Sequence, residues 1–125
     1  MLFRSSKAHT ASELLSYGDL RRLEIARALA TDPELLMLDE PFAGLGSSEI
    51  ESLSDLIRQL HREQKLTIML IEHKLREFMQ LVSRVVAIDF GEIIAEGAPA
   101  DIVNNPRVIE AYIGRQNLLE QNPHA

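Results

Sequence analysis

Two apolar runs of strand length, Leu35-Leu36-Met37-Leu38 and Leu66-Thr67-Ile68-Met69-Leu70-Ile71, constrain this chain more than any other feature. Each ends abruptly in polar residues, Asp39-Glu40 after the first and Glu72-His73 after the second. Bulky apolar residues in succession predict strands buried on both faces, the pattern of a parallel sheet in an α/β domain. Between the runs, Ser48 and Glu51 read as a capping box, and Leu53, Leu56, Ile57 and Leu60 make one helical stripe facing a sheet. His61 to Lys65 reads as a polar connection. Strand, helix and strand in this order form a βαβ unit, so the strands are expected parallel, with both polar ends on one edge.

Ligands of open α/β sheets bind outside the carboxyl ends of the strands, which makes Asp39 and Glu40 candidate site residues. Adjacent carboxylates can divide labour: one holds Mg²⁺ through water, and the other activates a water for phosphoryl transfer. The plain alternative is a solvated turn, with Pro41 stopping the ladder. His73 is expected near Glu40, where an imidazole can donate to a phosphate oxygen; the alternative is an ordinary surface histidine. Upstream, Leu20 to Ala30 is rich in helix formers, and a helix starting near Gly18 or Asp19 and ended by Asp32-Pro33 fits. Its start sets the Ser16 hydroxyl and free backbone N–H groups where an anion can bind, with Gly18 permitting close approach. An ordinary cap by Ser16 or Asp19 is the competing reading.

The rest of the chain is legible in outline. Leu75, Phe78, Met79 and Val82 form the stripe of a short helix, better read as core packing than as a cofactor box. Val85 to Ile88 and Ile93 to Ala95 flank a hairpin turned at Gly91; Asp89-Phe90-Gly91 matches the kinase metal tripeptide, but no other kinase sequence accompanies it. A short helical piece, Ala100 to Val103, is broken by Asn104-Asn105-Pro106, and a last helix carries Val108, Ala111 and Tyr112 before a polar end. With 125 residues, no cysteine and a net charge of −6, the chain is one domain or part of one; a nucleic-acid surface and thiolate metal sites are not expected. No apolar run approaches the roughly 18 to 20 residues of a membrane span, so a cytoplasmic location is expected.

Leu15-Ser16-Tyr17-Gly18-Asp19, then Leu35 to Pro41, then Ile71-Glu72-His73, in this order and at these separations, resemble the ATP-binding-cassette (ABC) ATPases. The resemblance implies a partial P-loop NTPase-like fold: parallel strands, flanking helices and a C-terminal β-hairpin. It implies that Ser16 and Gly18 belong to the signature loop that contacts the γ-phosphate of ATP on an opposing subunit. By the same match, Asp39 holds the Mg²⁺ water shell, Glu40 is the general base and His73 is the switch that senses the γ-phosphate. The signature region from Leu15 to Leu29, and Ile94 to Gly97 followed by Asn105 to Gly114, are similar to ATPases of branched-chain amino-acid importers.

The departures are equally informative. The sequence holds no Gly-x-x-x-x-Gly-Lys-Ser/Thr phosphate loop, Tyr17 stands where the signature usually has glycine, and Gly46 stands where the loop after the carboxylates often has aspartate. Residues 14–115 are therefore expected to be the C-terminal half of an ABC ATPase domain, with 1–13 a poorly ordered lead-in and 116–125 a polar tail. The implied function is an ATPase component of an importer, partnered by a second ATPase subunit and by membrane permeases, and peripheral to the inner membrane. The alternative is a non-catalytic module that lends its signature loop to a full ATPase. Phosphoryl transfer depends on positioning and charge stabilisation, so hydrolysis by this chain alone is not expected. Losing part of the sheet would also leave apolar strand faces and an edge uncovered.

Overall fold

The computed structural model describes residues 7, 9–73 and 75–112. The chain divides into two compact units, Met1–Phe78 and Met79–Ala125. The first holds a short 3₁₀ turn (Ser12–Leu14), α1 (Tyr17–Leu29), β1 (Leu35–Asp39), α2 (Ser47–Gln64) and β2 (Thr67–Ile71). Helix α3 (Leu75–Leu81) spans the division; β3 (Val85–Asp89), β4 (Glu92–Gly97) and α4 (Pro99–Val103) belong to the second unit. Most of the expected lead-in and all of the polar tail lie outside the described residues.

Helix α1 begins at Tyr17 because Ser16 caps it: the Asp19 N–H donates to Ser16 Oγ at 3.2 Å, and the hydroxyl donates to Asp19 Oδ2 at 2.8 Å. An ion pair from Lys7 to Asp19 completes the cap. Lys7 first, and the Ser16 hydroxyl second, hold the Asp19 carboxyl below its ordinary range. The helix ends at Leu29, three residues short of the expected stop, where Thr31 and Asp32 turn back through N–H bonds to the carbonyls of Ala28 and Leu29. Asp32 then takes a left-handed φ of 53° and points the chain into β1.

Strands β1 and β2 pair in parallel, Leu35 opposite Thr67 through Asp39 opposite Ile71, so the βαβ expectation holds. The crossover helix α2 is longer than the sequence suggested, running through His61 to Gln64 and closing in a left-handed Lys65. Its N-cap is Gly46, not Ser48: the Glu49 carboxylate accepts the Gly46 N–H at 3.0 Å, the half of a capping box that needs no N-cap side chain. Leu53, Leu56, Ile57 and Leu60 are all buried, joined by Ile50, Ile25, Leu36, Phe42, Leu45, Leu66 and Phe78. Each such side chain contributes about 1.5–3 kcal/mol of transfer free energy. Helices α1 and α2 touch near their starts, where Arg22 Nη2 donates to Ser52 Oγ at 2.6 Å and to its carbonyl at 3.3 Å.

The expectation that both faces of the strands are buried is corrected. Burial alternates along β1 and β2: Leu36 is buried, while Met37 is 62% exposed, Ile71 is 50% exposed, and Leu35 and Met69 are similarly open. Because Met37 pairs with Met69 and Asp39 with Ile71, these side chains form one apolar face. Among the described residues the core of the unit lies behind the even-numbered face, and nothing covers the other. An apolar run fits a two-sided strand only when both layers are present.

In the second unit, β3 and β4 form the expected antiparallel hairpin, with a bulge at Ala87 and Ile88. Phe90 and Gly91 make its turn with φ of 45° and 83°, the two positive angles that match the twist of a tight hairpin. The Asp89-Phe90-Gly91 tripeptide is thus a hairpin corner. Arg84 pairs with Glu96 across the strands, and Ile102 of α4 is buried against the hairpin together with Val85. Residues 106–112 are helical.

Two outcomes follow from this packing. The full chain self-associates through the face of Leu35, Met37, Met69 and Ile71, and the double change Met37→Thr with Met69→Thr shifts sedimentation velocity profiles towards monomer while the circular dichroism spectrum is kept; unchanged profiles count against this face. At the α1 cap, Asp19 has a folded pKa below its unfolded value of 3.8. Its stabilisation is therefore present above about pH 4 and is lost as pH falls through the lower folded value. In urea unfolding, the stability gap between wild type and Asp19→Asn closes on acidification through that window, and Ser16→Ala costs about 1 kcal/mol at neutral pH.

Candidate functional site

Parallel pairing brings the polar ends of β1 and β2 to one edge. The Glu40 N–H donates to the Ile71 carbonyl at 2.8 Å, extending the ladder one step beyond Asp39. Glu40 then adopts a left-handed φ of 44°, rare for a residue with a side chain, and the chain turns through Pro41 and Phe42 into the loop before α2. The Ala43 N–H returns to the Glu40 carbonyl at 3.0 Å, closing that turn. His73 Nδ1 lies 3.4 Å from Glu40 Oε1, and both side chains are largely open to solvent. A carboxylate and an imidazole side by side at an open strand edge can accept a proton from water and donate to an anion.

Glu72 lies between the two strand ends, and the sequence reading named it only as part of a polar terminus. Its Oε1 accepts the Phe42 N–H at 2.8 Å and its Oε2 accepts the His73 N–H at 3.2 Å. The only sequence signal was its adjacency to His73 at the strand end.

Asp39 ends β1 with an exposed side chain on the same face as Met37. Among the described residues no group of three or more His, Asp or Glu side chains converges to make a metal cage. A single open carboxylate suits Mg²⁺, which keeps most of its waters and is held by one or two carboxylates together with substrate phosphates.

The structure sets Ser16 at the cap of α1 and Gly18 beside Glu49 at the start of α2. The Tyr17 ring covers Gly44, where an added Cβ would come within 2.9 Å of it and φ is 76°. A Cβ on Gly18 would meet the Glu49 carboxylate at 2.8 Å. The Arg21 guanidinium lies 5.3 Å from the centre of the Tyr17 ring, a cation–π contact. Gly44 is therefore required both by its backbone angle and by the Tyr17 ring, whereas at Gly18 the close atom is the mobile end of the Glu49 side chain. The joint was not foreseen from sequence; its one trace was a tyrosine in place of the usual signature glycine.

Residues 1–43 match a family model described as ABC transporter, and residues 92–116 match one described as branched-chain amino acid ATP-binding cassette transporter. The chain is 47% identical over 107 residues to the high-affinity branched-chain amino acid transport ATP-binding protein LivG of Salmonella typhimurium, covering 86% of this chain and 42% of that protein. Among solved structures, an ATP-binding cassette of an ABC transporter in its ADP conformation superposes with a TM-score of 0.74 at 31% identity, covering 81% of this chain and 41% of that one. A dimeric, post-hydrolysis cassette bound to ADP and phosphate superposes with a TM-score of 0.66 at 27% identity, over 78% of this chain and 41% of that one. The chain thus spans less than half the length of these relatives. Over most of its length the chain is homologous to part of the ATP-binding proteins of ABC transporters, among them those of branched-chain amino-acid transport.

Proposed function

We propose that this chain supplies the base, the switch and the signature loop of an ABC-type ATP hydrolysis site in an importer, with branched-chain amino acids as the transported class. The observation that carries this reading is the pairing of His73 with Glu40 at 3.4 Å on the polar edge of β1 and β2. Glu40 takes a proton from the attacking water, and His73 donates to the γ-phosphate. Asp39 holds the magnesium water shell; bound Mg²⁺ neutralises charge on the transferring phosphoryl group. Ser16 and Gly18, at the start of α1, contact the γ-phosphate of a nucleotide held by an opposing ATPase subunit. The dimeric state of one related cassette supports that arrangement.

These 125 residues contain no phosphate loop, so the nucleotide cradle is supplied from outside them. The open apolar face of Leu35, Met37, Met69 and Ile71 is where that complementary part of the cassette packs. The relatives' additional length supports this reading, since each is more than twice the matched span. Permease subunits and a cytoplasmic, membrane-peripheral location belong to the same proposal. Among the described residues no helix is long and apolar enough to cross a membrane. The open face also fits a second reading, in which the chain is non-catalytic and lends its signature loop to a complete ATPase.

Nucleotide binding separates the readings. Purified chain alone shows no ATP-dependent rise in melting temperature, whereas mixed with a polypeptide carrying the phosphate loop it gains a rise and turnover. A rise with the chain alone sinks the division of labour proposed here; binding without turnover in the mixture favours the non-catalytic module. In the active mixture, Glu40→Gln lowers turnover about a hundredfold or more while ATP still binds. Retained turnover removes Glu40 as the base.

A further inference from the structure

We infer that Glu72 is a positioning residue: its carboxylate clamps the turn that carries Glu40 to the backbone that carries His73. The functional half of this inference rests on the reading of Glu40 as base. Backbone N–H groups at Glu40, Phe42 and Ala43 hold the turn after β1. The Glu40 N–H is held by Ile71, the Ala43 N–H by the Glu40 carbonyl, and the Phe42 N–H by Glu72 Oε1. The first continues the sheet and the second is internal to the turn. The first and the third both tie the turn to the end of β2, and the third does so through a side chain 30 residues away in sequence.

Phe42 is fully buried, so its N–H cannot exchange Glu72 for solvent without moving the ring out of the core. The second oxygen of Glu72 accepts the His73 N–H, so one rigid, planar group holds both backbones. Glu40 itself has a side chain open to solvent and a left-handed backbone, and neither feature would hold it in one place. On top of the ladder bond from Glu40 to Ile71, a third carboxylate that faces the loop therefore fixes the spacing between Glu40 and His73.

The test has two arms. In the full chain, hydrogen exchange followed by nuclear magnetic resonance compares wild type, Glu72→Ala and Glu72→Gln, with the amide of Leu53 reporting the core. The clamp requires that Glu72→Ala speed exchange of the Phe42 amide at least about tenfold while Leu53 is unchanged, and that Glu72→Gln, which keeps an acceptor oxygen, restore much of the protection. Unchanged exchange at Phe42 overturns the clamp. So does loss of the fold in both variants, because Glu72 would then support the whole unit.

The second arm uses the chain assembled with a phosphate-loop polypeptide. Glu72→Ala lowers kcat about tenfold to a hundredfold with KM for ATP within about twofold, and Glu72→Gln recovers part of kcat. Wild-type kcat in Glu72→Ala, alongside inactive Glu40→Gln, overturns the positioning role and leaves the base intact. Full turnover in Glu40→Gln overturns the reading of the base, while the exchange measurement still decides the clamp.

Discussion

The parallel register of β1 and β2 is the constraint on which the rest of the first unit depends. Parallel pairing demands a crossover, and α2 supplies it with a stripe of five buried aliphatic side chains. The same pairing fixes where each strand stops, and the two stops carry Glu40, Glu72 and His73. A shift of one residue in register would turn Leu36 towards solvent and separate Glu40 from His73. Core and candidate site are thus consequences of one hydrogen-bond ladder.

A second joint connects the start of α1 to the loop that leaves β1. Tyr17 lies over Gly44, Glu49 presses on Gly18 while capping α2, and Arg22 reaches Ser52. The loop after Glu40 is therefore held by Glu72 where it begins and packed under Tyr17 near its middle. A tyrosine in the signature and a glycine in the following loop form one fitted pair, because only an unsubstituted Cα leaves room for the ring.

The strands also carry more apolar surface than this chain covers. Leu35, Met37, Met69 and Ile71 face away from the core and are as apolar as the residues that face it, yet each is about half exposed or more.

Much of this was legible in the sequence: the βαβ order, the buried stripe of α2, the hairpin at Gly91 and the meeting of His73 with Glu40. These features follow from periodicity and chain connectivity, which are local or nearly local properties. Helix boundaries were less legible, since Gly46 caps α2 through the side chain of Glu49 and not through one of its own. Tertiary structure alone decided which face of each strand was covered, that Tyr17 would sit on Gly44, and that Glu72 would bridge the two strand ends. Each of those depends on what lies across a contact from residues far away in sequence, and the identity of a residue says nothing about its neighbour until the chain has folded.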